Sequence, residues 1–220
     1  MCGRFTLATP AAQIAELFGL EHTPELTPRY NIAPSQQVAI VRRAGGRPEL
    51  AWARWGLVPS WARDPAMGAR TINARCETVA VKPAFRAALR RRRCLIPADG
   101  FYEWRREGNR KQPFYFSLPN GSLFAFAGLW ERWEGAGEPL ESCTILTTGA
   151  NDAVAPVHDR MPVILAPEAH GPWLDPSVPG EEALAVVLAP LPSLTLRCYP
   201  VSSLVNNPAN DTPDARRPLR

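Results

Sequence analysis

Lysine is scarce in this chain: Lys82 and Lys111 are the only two, so the 25 basic residues are nearly all arginine. Histidine is scarce too, and His22, His158 and His170 are nowhere spaced as metal ligands, so neither a metal nor another cofactor is expected. The five cysteines (Cys2, Cys76, Cys94, Cys143, Cys198) are odd in number and never paired within four residues. That excludes a zinc ribbon and a CxxC redox pair. Four of them are expected to be small buried hydrophobes; Cys2 alone has a positional reason to react. No run of 18 apolar residues exists, which excludes a membrane-spanning helix and leaves no membrane partner to expect. Residues 1–20 show no basic start before an apolar run, so a secretory leader is not expected and the chain should stay in the cytoplasm. Internal repeats are absent.

What is present fits a folded domain. Hydrophobic residues make up 45% of 220, charged ones 21%, enough for one domain with a sizeable core. Net charge is +4 and the pI near 9.0. An arginine excess favours planar, bidentate recognition of phosphate and is compatible with nucleic acid. The densest run, Arg90-Arg91-Arg92-Arg93, reads equally well as a solvated helix end favoured by the helix dipole.

The chain opens Met1-Cys2-Gly3-Arg4-Phe5. Methionine is removed when the next side chain is small, and removal would leave Cys2 with an amine and a thiol on adjacent carbons. Their unperturbed pKa values, roughly 8 and 8.5, keep both groups partly reactive near neutrality. A 1,2-aminothiol condenses with an aldehyde, first to an imine and then to a five-membered thiazolidine. The bland alternative is an ordinary terminus that happens to hold a cysteine.

Along the chain, Thr9-Pro10 reads as a helix start, Ile14, Leu17 and Phe18 share one face, and Gly19 ends the helix. Residues 38–42 and 49–55 read as strands around a Gly45-Gly46 turn. Trp52, Trp55 and Trp61 cluster around Gly56-Leu57-Val58-Pro59; core is the default for them, with Trp61 the one expected to face a ligand. Residues 83–90 suggest a short helix and 94–97 a buried strand ending at Asp99-Gly100. Glu103 follows, between aromatic neighbours that would desolvate it and raise its pKa, although an exposed strand position would look the same in sequence. Asn120-Gly121 is the clearest hairpin signal, joining strands around 114–116 and 123–126. After a Gly/Glu-rich loop at 131–141, residues 143–148 and 163–165 read as strands, 183–188 as a helix and 194–201 as a last strand. His158 lies between them, in a proline-bounded loop with Asp159 and Arg160, where functional groups concentrate.

Six segments occur in order: Met1-Cys2-Gly3-Arg4-Phe5, Arg29-Tyr30-Asn31-Ile32-Ala33-Pro34, Trp55-Gly56-Leu57-Val58-Pro59, Asn73-Ala74-Arg75-Cys76-Glu77-Thr78, Ala98-Asp99-Gly100-Phe101-Tyr102-Glu103-Trp104 and His158-Asp159-Arg160-Met161-Pro162. Together they resemble the SOS-response-associated peptidase (SRAP) family from residue 2 to about Asn206. The resemblance implies an α+β fold whose antiparallel strands curl into an open barrel, with peripheral helices and a basic groove for single-stranded DNA. It implies one domain over 2–206 and a monomer; the composition of 207–220, rich in proline, asparagine and aspartate, suggests a flexible tail there. It also implies that Cys2 captures the aldehyde of an abasic site in single-stranded DNA as a thiazolidine crosslink, on the nucleoid when bound. By resemblance Asn73 holds the opened sugar, Glu103 is the acid–base catalyst and His158 assists proton transfer. Thr147, or its neighbour Thr148, would contact sugar or phosphate; Arg4, Arg75 and Arg160 would contact phosphates; Pro34 and Trp61 would line the rim where bases stack. Two other readings stay open: a thiol peptidase using Cys2, Glu103 and His158, in its strongest form removing only Met1, and a non-covalent module for single-stranded DNA.

Overall fold

The computed structural model describes residues 2–23, 25–135, 137–188 and 196–219. Thirteen strands and four short α-helices make up the regular structure among them. In chain order they are β1 (Arg4–Leu7), α1 (Ala11–Phe18), β2 (Arg29–Ile32), β3 (Gln37–Ala44), β4 (Arg47–Trp55), β5 (Asn73–Arg75), α2 (Arg86–Arg91), β6 (Arg93–Ala98), β7 (Gly100–Glu107), β8 (Arg110–Ser117), β9 (Phe124–Trp133), β10 (Leu140–Gly149), β11 (Arg160–Pro162), β12 (Ile164–Leu165), α3 (Pro167–Leu174), α4 (Gly180–Leu188) and β13 (Arg197–Pro200).

Two sheets carry the fold. The first runs β13-β8-β7-β1-β2 and is antiparallel throughout. The second runs β11-β10-β4-β3-β6-β9-β12, with β5 beside β10. An additional β9–β10 ladder joins β10, β4, β3, β6 and β9 into a ring, so those strands have no open edge between them. The class is the expected one, α+β with mostly antiparallel strands curled into a barrel; only β4 and β5 run parallel to β10. Phe5 of β1 packs edge-on against Trp55 (5.2 Å between centroids) and Phe126 (5.8 Å), and so pins the start of the chain into the core between the sheets.

Several elements differ from the sequence reading. Asn120-Gly121 does not close a hairpin: β8 belongs to the first sheet and β9 to the second, so the turn passes the chain between sheets. The tight hairpin is instead at Gly108-Asn109, where Glu107 pairs with Arg110 and Gly108 takes a positive φ of 58°. The Gly45-Gly46 turn is as expected, with both residues at positive φ between paired Ala44 and Arg47. Thr9 does not cap α1; its N–H and hydroxyl donate to Asp99 Oδ2 at 2.9 and 3.1 Å. The last strand, expected over 194–201, is seen as β13 from Arg197; positions 194 and 195 lie outside the described residues. Cys198 is exposed rather than buried, whereas Cys76, Cys94 and Cys143 are buried as expected.

The Arg90–Arg93 run splits in role. Arg93 is buried and donates to the carbonyls of Leu89, Arg90, Trp173, Asp175 and Val178, tying the end of α2 to the segment after α3. A guanidinium is suited to this because its five donors fan out in one plane.

Residues 207–219, expected as a loose tail, are strapped across β2. Asn31 Nδ2 donates to the carbonyls of Val205, Asn207 and Asn210. Asp211 accepts from the backbone N–H of Tyr30 and Asn31 and from the Arg29 guanidinium. Tyr199 OH donates to Arg216 O at 3.1 Å, and Val201 bridges to Pro218. The polar composition that suggested disorder is used up in backbone contacts to the domain.

Candidate nucleic-acid interface and reactive site

The site forms where the first sheet meets β5. In the β1–β7 ladder Arg4 pairs with Tyr102 and Phe5 with Phe101, and continuing that register brings Glu103 beside the Cys2–Gly3 end. β5 is delivered by β10, where Ile145 pairs with Asn73 and Thr147 with Arg75. The Trp55-Gly56-Leu57 segment holds this arrangement: Trp55 Nε1 donates to Ile72 O at 2.8 Å and Gly56 N to Cys143 O at 2.8 Å. Gly56 has φ 131°, and a Cβ there would stand 2.6 Å from Gly68 O, so no other residue fits.

Asn73 then reaches Cys2: its Nδ2 donates to the Cys2 carbonyl at 2.8 Å. The Cys2 side chain is fully buried, with Sγ 3.8 Å from Arg4 O. Burial pushes its thiol well above the usual range, and the nearby Glu103 charge adds to the effect. Glu103 is itself only 2% exposed, which settles its position on the inner face of β7. Burial raises its pKa to about 7, where it can both take and give a proton near neutrality.

His158 follows a turn capped by Asn151, whose Oδ1 accepts from the N–H groups of Ala153 and Val154. Its Nδ1 accepts from Arg160 N at 2.9 Å, which places the proton of the neutral ring on Nε2. Asp159 Oδ1 lies 2.9 Å from the same nitrogen and favours the charged ring, but burial outweighs it and lowers the pKa. Glu103 and His158 open into one cleft of about 750 Å³, lined also by Trp104, Arg106, Lys111, Val157 and Asp159.

The expected phosphate contacts are less uniform. Arg4 is partly buried, which lowers its pKa, and donates to Gly3 O (2.8 Å) and Asn206 O (3.5 Å). Arg75 is exposed at the end of β5. Arg160 is held by Glu77 through two bonds of 2.5 and 2.9 Å and donates to Thr147 O at 2.8 Å. Thr147 is buried, its hydroxyl 3.5 Å from Ala74 O, while Thr148 beside it is half-buried. Pro34 is half-buried in the turn between β2 and β3; Trp61 is 57% exposed, its Nε1 donating to Pro83 O at 3.4 Å. Glu77, Trp104 and Asn206 were not singled out from sequence. Asn206 Oδ1 accepts from Trp104 Nε1 at 2.8 Å, a link across 102 positions with no local signal. Among the described residues no group of three or more His, Cys, Asp or Glu side chains could hold a metal, and no helix is long and apolar enough to cross a membrane.

The model of the SOS response associated peptidase (SRAP) family matches residues 1–208. The chain belongs to the SRAP family. SRAP relatives include the abasic site processing protein YoqW of Bacillus subtilis, 44% identical over 219 residues, covering 97% of this chain and 98% of that protein. The abasic site processing protein YedK of Escherichia coli is 30% identical and covers both chains fully. The SRAP fold is also matched by a crystal structure of a protein from Bacteroides thetaiotaomicron, with a TM-score of 0.88 at 27% identity over the whole of both chains.

Proposed function

We propose that this SRAP protein recognises abasic sites in single-stranded DNA and captures them covalently through Cys2 once Met1 has been removed. One observation carries the reading: Asn73 grips the Cys2 carbonyl at 2.8 Å while the β1–β7 register sets a buried Glu103, its pKa raised to about 7, beside the Cys2–Gly3 end. The names of the relatives, abasic site processing proteins, supply the substrate class.

The chemistry asks for what these residues offer. A closed abasic sugar must lose its hydroxyl proton and gain one on the ring oxygen to expose the aldehyde, which Glu103 and His158 are suited to exchange. The Cys2 amine attacks the aldehyde carbon, and water leaves with a proton from the acid form of Glu103, giving an imine. The thiol then adds across the C=N bond, its proton ending on nitrogen, and the thiazolidine closes. A thiol held protonated by burial is kept from other electrophiles until the imine carbon stands beside it. Asn73 would fix the Cys2 backbone and the opened sugar; Arg4, Arg75 and Arg160 would hold phosphates, with Thr147 or Thr148 assisting, and Pro34 and Trp61 would meet bases at the rim.

The test is incubation with abasic single-stranded DNA, followed by a denaturing gel and intact mass. A shifted band that survives denaturant, with the mass of protein lacking Met1 plus DNA less water, is expected. Binding without such a band would leave a non-covalent module. Peptide cleavage dependent on Cys2, with no adduct, would support a thiol peptidase.

A further inference from the structure

The cleft beyond Glu103 and His158 has one wall that the reactive groups do not account for. Arg106 of β7 and Lys111 of β8 are direct partners across the antiparallel ladder, so their side chains share one face of the hairpin. Both are exposed and both line the cleft. Like charges directly opposite one another destabilise a strand pair. Relief is not supplied nearby: Glu107, directly before the hairpin turn, pairs with Arg105 on the other face. Asp159 across the cleft lies against His158. Among the described residues neither Arg106 nor Lys111 makes an ion pair or a side-chain hydrogen bond. Lys111 is moreover one of only two lysines in the chain. Trp104, two residues before Arg106 and so on the same face of β7, lines the same cleft, its indole nitrogen engaged by Asn206.

Two uncompensated cations beside an aromatic ring, opening from the reactive carboxylate, match the repeating chemistry of a single strand: phosphate, sugar, base. We infer that Arg106 and Lys111 form a phosphate clamp for the single-stranded nucleic acid on the side of the reactive centre away from Asn73, with Trp104 as the platform for the base next to it. This inference rests on the proposed DNA reading and adds a subsite to it. The repulsion between Arg106 and Lys111 is relieved when a phosphate lies between them, so the clamp is favourable only with the strand in place.

The experiment uses lesion-free oligothymidylate, so that binding is read without any covalent step. In the R106Q/K111Q double variant the slope of log affinity against log salt should flatten by about 0.7 units, the value for the one phosphate the pair would share. K111E gives the second arm. It places an opposite charge across from Arg106, so its thermal midpoint should equal or exceed that of wild type while its affinity for oligothymidylate falls. A wild-type slope and affinity in the double variant would overturn the clamp, as would a loss of binding in K111E that comes with a lowered midpoint. If wild type gives no adduct with abasic DNA but the slope still flattens, the covalent reading fails and the clamp stands.

Discussion

Asn73 Nδ2 and the Cys2 carbonyl oxygen meet at 2.8 Å, a contact between residues 71 positions apart that joins β5 to the start of β1. It makes the amide of Asn73 a donor to the same residue whose amine and thiol would react. Asn73→Asp replaces that donor with an acceptor facing a carbonyl. One hydrogen bond is worth about 1 kcal/mol net, and a repelling acceptor more, so crosslinking at saturating protein should slow by about tenfold or more. Single-turnover rates on abasic single-stranded DNA check this; a wild-type rate would remove Asn73 from the site.

Glu103 sets activity against stability. Its pKa is raised from 4.5 to about 7 by burial, so the folded state binds a proton that the unfolded state releases between those values. Stability from the neutral acid is therefore fully present below about pH 4.5 and is lost as pH rises through 7. Glu103→Gln, neutral at every pH, should unfold at a higher temperature than wild type at pH 8 and show little difference at pH 4. The gain is at most ~3 kcal/mol. The same variant should crosslink about 10²–10⁴-fold more slowly at saturating protein, because it cannot titrate. Thermal melts at both pH values, beside single-turnover kinetics, test the two signs together.

Arg160 is occupied in the free protein by Glu77, which is 55% exposed in its side chain and held below the ordinary carboxylate range mainly by that contact. A phosphate bound by Arg160 must compete with it. Glu77→Gln should tighten binding to single-stranded DNA about 2–5-fold, the scale of an exposed ion pair. An affinity that does not change would mean Arg160 serves the fold and not the strand.

Asp211 is the anchor of the strap, accepting from two backbone N–H groups and the Arg29 guanidinium. Asp211→Ala leaves those donors without their charged acceptor, a loss of about 1.5–3 kcal/mol. At roughly 2–4 °C per kcal/mol for a chain of this size, the midpoint should fall by several degrees. Because Asn206 directly precedes the strap and holds Trp104, lesion-free DNA binding should weaken with it; a scanning-calorimetry midpoint equal to wild type would show the strap contributes nothing.

The parts legible in sequence were those with local causes. Gly45-Gly46 states its own turn, and the aromatic neighbours of Glu103 foretold its desolvation, although only the β1–β7 register shows that the carboxylate points inward. Asn120-Gly121 misled because a turn dipeptide specifies a reversal of direction, not which strands pair afterwards. Arg93 looks in sequence like the exposed Arg90 and Arg91, since the carbonyls it binds come from residues 89 to 178. The strap was misread for a related reason: asparagine and aspartate suit loose coil as well as they suit backbone contacts, and Asn31, which decides between them, lies 176 positions from Asn207. For the site, six ordered motifs named Cys2, Asn73, Glu103 and His158, but the Arg106–Lys111 pair depends on a hairpin register that no motif encodes.

The contact just before the strap also imposes an order in time. Arg4 meets Asn206 across 202 positions, so during translation the Cys2 end is out in solution long before the segment that completes its surroundings has been made. An aminopeptidase working on the nascent chain would find Met1 accessible in that interval. Self-cleavage relying on the completed surroundings of Cys2 would have to wait until Asn206 has been made and has left the ribosome. The interval between those two moments, followed by mass spectrometry of ribosome-bound and released chains, separates a maturation done by another enzyme from one the domain performs on itself.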